Sequence, residues 1–192
     1  MNKGRGGRRP DPAVDEAVRR AAVELLLERG FELTFDEVAE RAGVGRTSVF
    51  RRYATKQELV LAAAEQVTIG RIEVPDTGTL RGDMGAAVLA VYGVFGEAAT
   101  QTLARHALVA ALQDQAGSVI MRAVLDRRLE MVTALLERAV DRGEITGTDR
   151  ARLVADLLSG VIMARMASGQ PLPEKEEAEA LAAAMATAAG AA

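Results

Sequence analysis

The chain has 192 residues, 49% of them hydrophobic and 27% charged, with 24 Lys and Arg against 27 Asp and Glu and a net charge of −3. This length can bury a sizeable core in one or two domains, and the apolar fraction excludes a chain disordered throughout. The absence of Cys excludes disulfides, thiolate zinc sites and a Cys nucleophile, and a single His excludes a multi-histidine metal site.

The first ten residues carry Lys3, Arg5, Arg8 and Arg9 with no acid. No signal peptide is expected, because Asp15, Glu16, Arg19, Arg20 and Glu24 interrupt the apolar region that follows. The longest uncharged runs, 84–96 and 180–192, are too short for a membrane span of about 20 apolar residues. The cytoplasm is the default compartment.

Every periodic segment reads as helix. Val14, Ala17, Val18, Ala21, Ala22 and Leu25 recur at spacings of three and four, with Pro12 near the start and Gly30 as the stop. Thr34 caps a second helix, and Glu37 completes a capping box. Leu33 and Val38 are placed to form its hydrophobic staple, and Gly43 ends it. A third helix spans 46–53, and Thr55 caps a fourth over 56–70. After a turn at 75–78, the spacing predicts helices over 79–96, 100–113, 118–142, 149–168 and 174–188. Neither strand alternation nor an internal repeat is visible, so the fold class is all-α, with about nine helices.

The sharpest signal is residues 34–53, TFDEVAERAGVGRTSVFRRY. Ala39, Gly43 and Val49 have helix-turn-helix spacing: a small residue for close approach, a glycine for a left-handed turn, and an apolar filler. Phe50 is assigned to the same core. The second helix then offers Arg46, Thr47, Ser48, Arg51 and Arg52 to a major groove. An ordinary helical hairpin can share this spacing. The capping box, the short first helix, the clustered arginines and Lys56 favour DNA binding.

Charge also separates along the chain. Residues 1–56 hold 12 Lys and Arg against 9 Asp and Glu, or +3, and the remainder holds 12 against 18, or −6. The basic arm can lie along phosphates or enter a minor groove, or it can serve as a solubilising tail.

Residues 14–61 resemble the DNA-binding domain of the TetR (tetracycline-repressor-like) family. The carrying segment is AVRRAAVELLLERGFELTFDEVAERAGVGRTSVFRRYATKQELVLA. RGEI and DRARLVADLLSGVIMARMASGQPL are similar, more loosely, to the family's last helices. The resemblance implies a nine-helix homodimer on palindromic double-stranded operator DNA, released by a small-molecule effector. It divides the chain into an arm at 1–12, a DNA-binding domain at 13–56 and an effector-binding and dimerisation domain at 57–192. It places Arg46, Thr47 and Arg52 at base edges and Thr34, Ser48 and Lys56 at phosphates, and Arg51 and Tyr53 are added as candidates for phosphate contact. Two departures stand out. Phe50 replaces the usual Tyr and lacks its hydroxyl, leaving Tyr53 either to replace that contact or to serve as core. Gly45 replaces the common Ser cap of the recognition helix. Helix four joins both domains, so ligand binding is expected to move it and change the spacing of the recognition helices.

The C-terminal part is less legible. Tyr92, Phe95, His106, Met121, Met131, Met163 and Arg165 are candidates for an apolar effector site with a few orienting polar groups. A packing role is the bland alternative for each, and residues of these types on apolar helix faces are more often core. Leu157, Val161, Leu181 and Met185 are candidates for a dimer interface, or for intrachain packing. No cofactor is expected, and enzyme activity is not, because no metal, nucleophile-pair or phosphate-loop motif is present. An all-helical adaptor with an architectural helix-turn-helix is the alternative to a ligand-responsive repressor.

Overall fold

The computed structural model describes residues 11–68, 72–73, 76–113 and 115–191. The basic arm, apart from its last two residues, lies outside them. Among the described residues there are nine α-helices and no strand, and no helix is long and apolar enough to cross a membrane. The chain divides into two compact units, Met1–Ala63 and Ala64–Ala192. The boundary falls inside the fourth helix, after Ala63.

The small unit begins with α1 (Pro12–Arg29). Asp11 caps it by accepting from the Ala13 N–H at 3.0 Å, and Pro12 supplies the preset φ of a first turn. Its inward stripe is Val18, Ala21, Ala22, Leu25 and Leu26. Gly30 (φ 63°) stops the helix as expected, and a 3₁₀ turn (Gly30–Glu32) follows that the spacing did not announce.

In α2 (Phe35–Ala42) the capping box is complete. Thr34 Oγ accepts from the Glu37 N–H at 3.3 Å, and the Glu37 carboxylate accepts from the Thr34 N–H at 2.9 Å. Leu33 and Val38, the staple pair, are both fully buried. Gly43 adopts the left-handed conformation (φ 66°, ψ 32°). The Val44 N–H reaches the Ala39 carbonyl and the Gly43 N–H that of Glu40, which closes the helix end. The short α3 (Arg46–Phe50) ends three residues before the expected 53, where the chain turns into α4 (Lys56–Val67). Thr55 Oγ accepts from the Glu58 N–H at 3.2 Å, and Glu58 accepts from the Ala54 N–H at 2.7 Å, so two backbone donors are satisfied at the start of α4.

The larger unit contains α5 (Leu80–Phe95), α6 (Ala98–Gln113), α7 (Gln115–Asp141), α8 (Ala151–Ser168) and α9 (Lys175–Ala189). Leu80, Met84, Ala87, Val88, Val91, Tyr92 and Phe95 of α5 are buried, as befits a nearly uncharged helix at the centre of the core. It packs against α9 and α7, and α7 against α6 and α8. Val132, Leu135 and Leu136 of α7, Val154, Leu158 and Ile162 of α8, and Ala182 and Met185 of α9 complete that core.

A buried carboxylate pins the start of α5. Asp83 accepts from the Thr77 N–H (2.7 Å) and hydroxyl (2.8 Å) and from Arg142 Nη2 (2.9 Å). Burial alone would push its carboxyl up, but these hydrogen bonds outweigh burial and hold it below the ordinary range. Glu144 joins the cluster by accepting from the Leu80 N–H at 2.7 Å and from Arg142 Nε at 2.6 Å. The Leu80 bond, then that of Arg142, lowers its carboxyl too.

Candidate DNA-binding site

The helix-turn-helix is α2, the Gly43 turn and α3. Ala39 and Val49 are buried at its centre, and Gly43 supplies the turn. Gly45 caps α3 through its backbone alone (φ −69°, ψ 143°). Charged hydrogen bonds hold α2 to α1. Arg41 donates to both oxygens of Glu28, each at 2.9 Å, and to Glu24 at 3.4 Å. Arg29 pairs with Glu37. The hydrogen bonds from Thr34, ahead of the Arg29 charge, keep the Glu37 carboxyl below its usual range.

Four of the expected DNA-facing side chains are exposed on α3 and beside it: Arg46, Thr47, Arg51 and Lys56. Arg46 donates its Nε to Asp36 at 3.0 Å, and its guanidinium stands 5.1 Å from the Phe50 ring centre. Thr34 is exposed but already engaged, donating its hydroxyl to Glu37 at 2.9 Å. Ser48 is partly buried, and its carbonyl accepts from Arg52.

Two placements, those of Arg52 and Phe50, differ from the sequence expectation. Arg52 does not stand at the surface of α3 as a base reader: its side chain is 10% exposed and turned back on α1. Its Nε pairs with Asp15, Nη1 donates to the Ser48 carbonyl at 2.8 Å, and Nη2 donates to the Asp11 carbonyl at 3.4 Å. An acid on α1 and two backbone carbonyls meet the guanidinium inside the unit. Phe50 is not core, because Val49 takes the inward direction of α3. Phe50 is 42% exposed and stacks on Phe35, with ring centres 4.3 Å apart. Tyr53 is partly buried, and burial pushes its phenol up, with Arg19, Asp15 and Arg52 as its charged neighbours. It faces α1 more than the outer side of α3.

In the larger unit, Tyr92 and Phe95 are buried, whereas His106, Met121, Met131 and Met163 are partly buried. The Tyr92 hydroxyl is buried without a hydrogen-bond partner, and burial pushes the phenol up to about 12. Arg165 is a brace, not a free orienting group: it donates to the Pro171 carbonyl at 3.2 Å and to Glu177 at 3.0 Å, tying α8 to α9 and the loop before it. Of the interface candidates, Met185 is fully buried within one chain, since its row on α9 faces α5. Leu157, Val161 and Leu181 are only partly buried, and Leu153, one turn before Leu157, is 53% exposed.

One polar residue escaped the sequence reading. Arg128 of α7 is 1% exposed. Its Nη1 donates to Ser159 Oγ at 3.1 Å, and the Phe95 ring lies 5.2 Å from the guanidinium carbon. Nε and Nη2 have no hydrogen-bond partner among the described residues. Burial pulls the guanidinium down to about 10. The signal was present: Arg128 falls seven residues after Met121 and seven before Leu135, on the apolar stripe of the helix.

Comparison with known proteins agrees with the local geometry. Residues 18–63 match the family described as bacterial regulatory proteins, tetR family, and residues 74–185 match the tetracyclin repressor-like, C-terminal domain. The DNA-binding transcriptional repressor TetR of Mycobacteroides abscessus is 32% identical over 162 residues, covering 82% of this chain and 84% of that one. The uncharacterized HTH-type transcriptional regulator Rv1556 of Mycobacterium tuberculosis is 32% identical over 164 residues, covering 83% and 79%. Among solved structures, the TetR family transcription regulator SCO0332 superposes with a TM-score of 0.72 at 25% identity, covering 91% of this chain and 97% of that one. SmeT in complex with triclosan and Bacillus subtilis FadR in complex with stearoyl-CoA share the fold, with TM-scores of 0.63 and 0.65. With both units matched in chain order, the protein belongs to the TetR family of helix-turn-helix transcriptional regulators.

Proposed function

We propose that this regulator is a repressor that binds a palindromic operator as a homodimer and is released by a small molecule held in the 64–192 unit. The exposed row Arg46, Thr47 and Arg51 on α3, with Lys56 at the start of α4, carries this reading. Arg46 is the base reader, because its fork can give two hydrogen bonds to guanine O6 and N7. Thr47 stands beside it at the base edges. Arg51 and Lys56 take phosphates, joined by Ser48 and by Thr34 at the start of α2. Family membership and ligand complexes of the same fold support the effector role. The apolar row Leu153, Leu157 and Val161 on α8, with Leu181 on α9, supports a dimer face. Its location is the cytoplasm, where operator DNA is available.

Selection of genomic fragments with the purified protein tests this reading. A recovered inverted repeat supports it. Recovery of no preferred sequence overturns it in favour of an all-helical adaptor. On the recovered operator, Arg46→Ala is expected to cost about 1–3 kcal/mol and to leave random-DNA binding nearly intact. Equal losses on both DNAs would remove the base-reading role.

A further inference from the structure

Two charged side chains are fully buried among the described residues, Asp83 and Arg128. Asp83 has both oxygens engaged. Arg128 has no acid beside it, and burial alone accounts for the downward shift of its guanidinium. At neutral pH it is still charged. Shape does not require an arginine there, since the flanking positions of the same stripe are Val124, Leu125, Met131 and Val132.

The chemistry of the free atoms is specific. Nη1 is taken by Ser159, and the flat face of the guanidinium stands over Phe95. The unpartnered pair is Nε and Nη2, which lie on one edge of the guanidinium plane. That edge is the two-pronged donor that takes both oxygens of a carboxylate. A single cation among apolar side chains matches one negative charge. A phosphate dianion would bring a second charge with no second cation to meet it. We propose that Arg128 is the anchor of an effector site between α5, α7 and α8, and that the effector is a monocarboxylate with an apolar body. This rests on the reading of the larger unit as the effector unit.

The free edge is closed over in this structure. A carboxylate therefore reaches it only when the three helices part. Its binding selects an arrangement other than this one, which is the differential affinity that a ligand needs to shift an equilibrium.

The test uses the full-length protein. Straight-chain carboxylates from acetate to decanoate are each compared with the primary alcohol of the same length, by thermal shift and calorimetry. At least one carboxylate is expected to bind ten-fold or more tightly than its alcohol, and Arg128→Met is expected to abolish that preference. Equal binding of acid and alcohol, binding of neither, or a preference that survives in Arg128→Met overturns the proposal. The acid–alcohol comparison on the wild-type protein decides the matter even where the variant does not fold. Operator binding by the wild-type protein is measured in parallel by gel shift. Loss of operator binding refutes the regulator reading itself, whereas operator binding without a carboxylate preference refutes only the anchor.

Discussion

Each unit hides an arginine, and the two are treated in opposite ways. In the small unit Arg52 has an acid, Asp15, and two carbonyls around it. In the larger unit Arg128 has one hydroxyl and one aromatic face. The first ties α3 to α1 and is part of the framework that presents α3. The second makes only one hydrogen bond within the framework, and its burial is costly. A satisfied buried charge marks architecture. An unsatisfied one marks either waste or a partner from outside the chain.

This contrast can be broken most directly at Asp83, the satisfied charge of the larger unit. Asp83→Asn is expected to cost about 3 kcal/mol of unfolding free energy at neutral pH, because a buried amide cannot accept from both Thr77 donors and from Arg142 as the carboxylate does. The Asp83 carboxyl is held below its unfolded value. Its contribution is therefore full above the ordinary aspartate range, near pH 4, and is lost as pH falls through the lowered native value. Denaturation curves of the wild-type and variant proteins should converge below pH 4. A gap that stays constant with pH would show that packing, not charge, is responsible.

Arg52→Met should destabilise the small unit by about 2–3 kcal/mol, less than at Asp83 because the Asp15 partner is partly exposed. Urea unfolding reads this. Unchanged stability with an altered base preference at one operator position would restore Arg52 to the reading surface.

The matching change at the other arginine should have the opposite sign. Arg128→Met is expected to raise unfolding free energy by about 1 kcal/mol or more, as replacement of an uncompensated buried charge commonly does. A loss comparable to that at Arg52 would make Arg128 framework after all.

Gly43→Ala should cost about 1 kcal/mol. Open space surrounds the new methyl, so the effect is confined to the left-handed backbone (φ 66°). The smallest effect is expected at Asp36. It holds Arg46 on the exposed face, and both side chains are about 60% exposed. Asp36→Asn should tighten DNA binding a few-fold at low salt and leave stability within about 0.5 kcal/mol. Weaker binding would mean that Asp36 positions Arg46 for its base.

How much was legible follows the same division. The helix-turn-helix could be read from sequence because its determinants are local. A Thr and a Glu three residues apart make a cap, and one glycine makes a turn. Arg46 and Thr47 follow the α3 N-cap directly, so their exposure follows from helical spacing. Arg52 and Phe50 were misplaced because their neighbours are distant: Asp15 on α1 for one, Phe35 at the far end of α2 for the other. No spacing within 34–53 reports either contact. The partners of Arg165 were hidden likewise, since Pro171 and Glu177 reach it only after the chain reverses.

The sequence by itself determined the helical class, the order of the elements, the caps and turns of the small unit and the family to which the chain belongs. These rest on contacts three or four residues apart, where periodicity is a direct record of geometry. Only the tertiary structure decided which arginine is framework and which is left unsatisfied. That depends on which helices meet around a side chain. The net charge of −3, and even its division between the units, is blind to a single guanidinium enclosed by three helices.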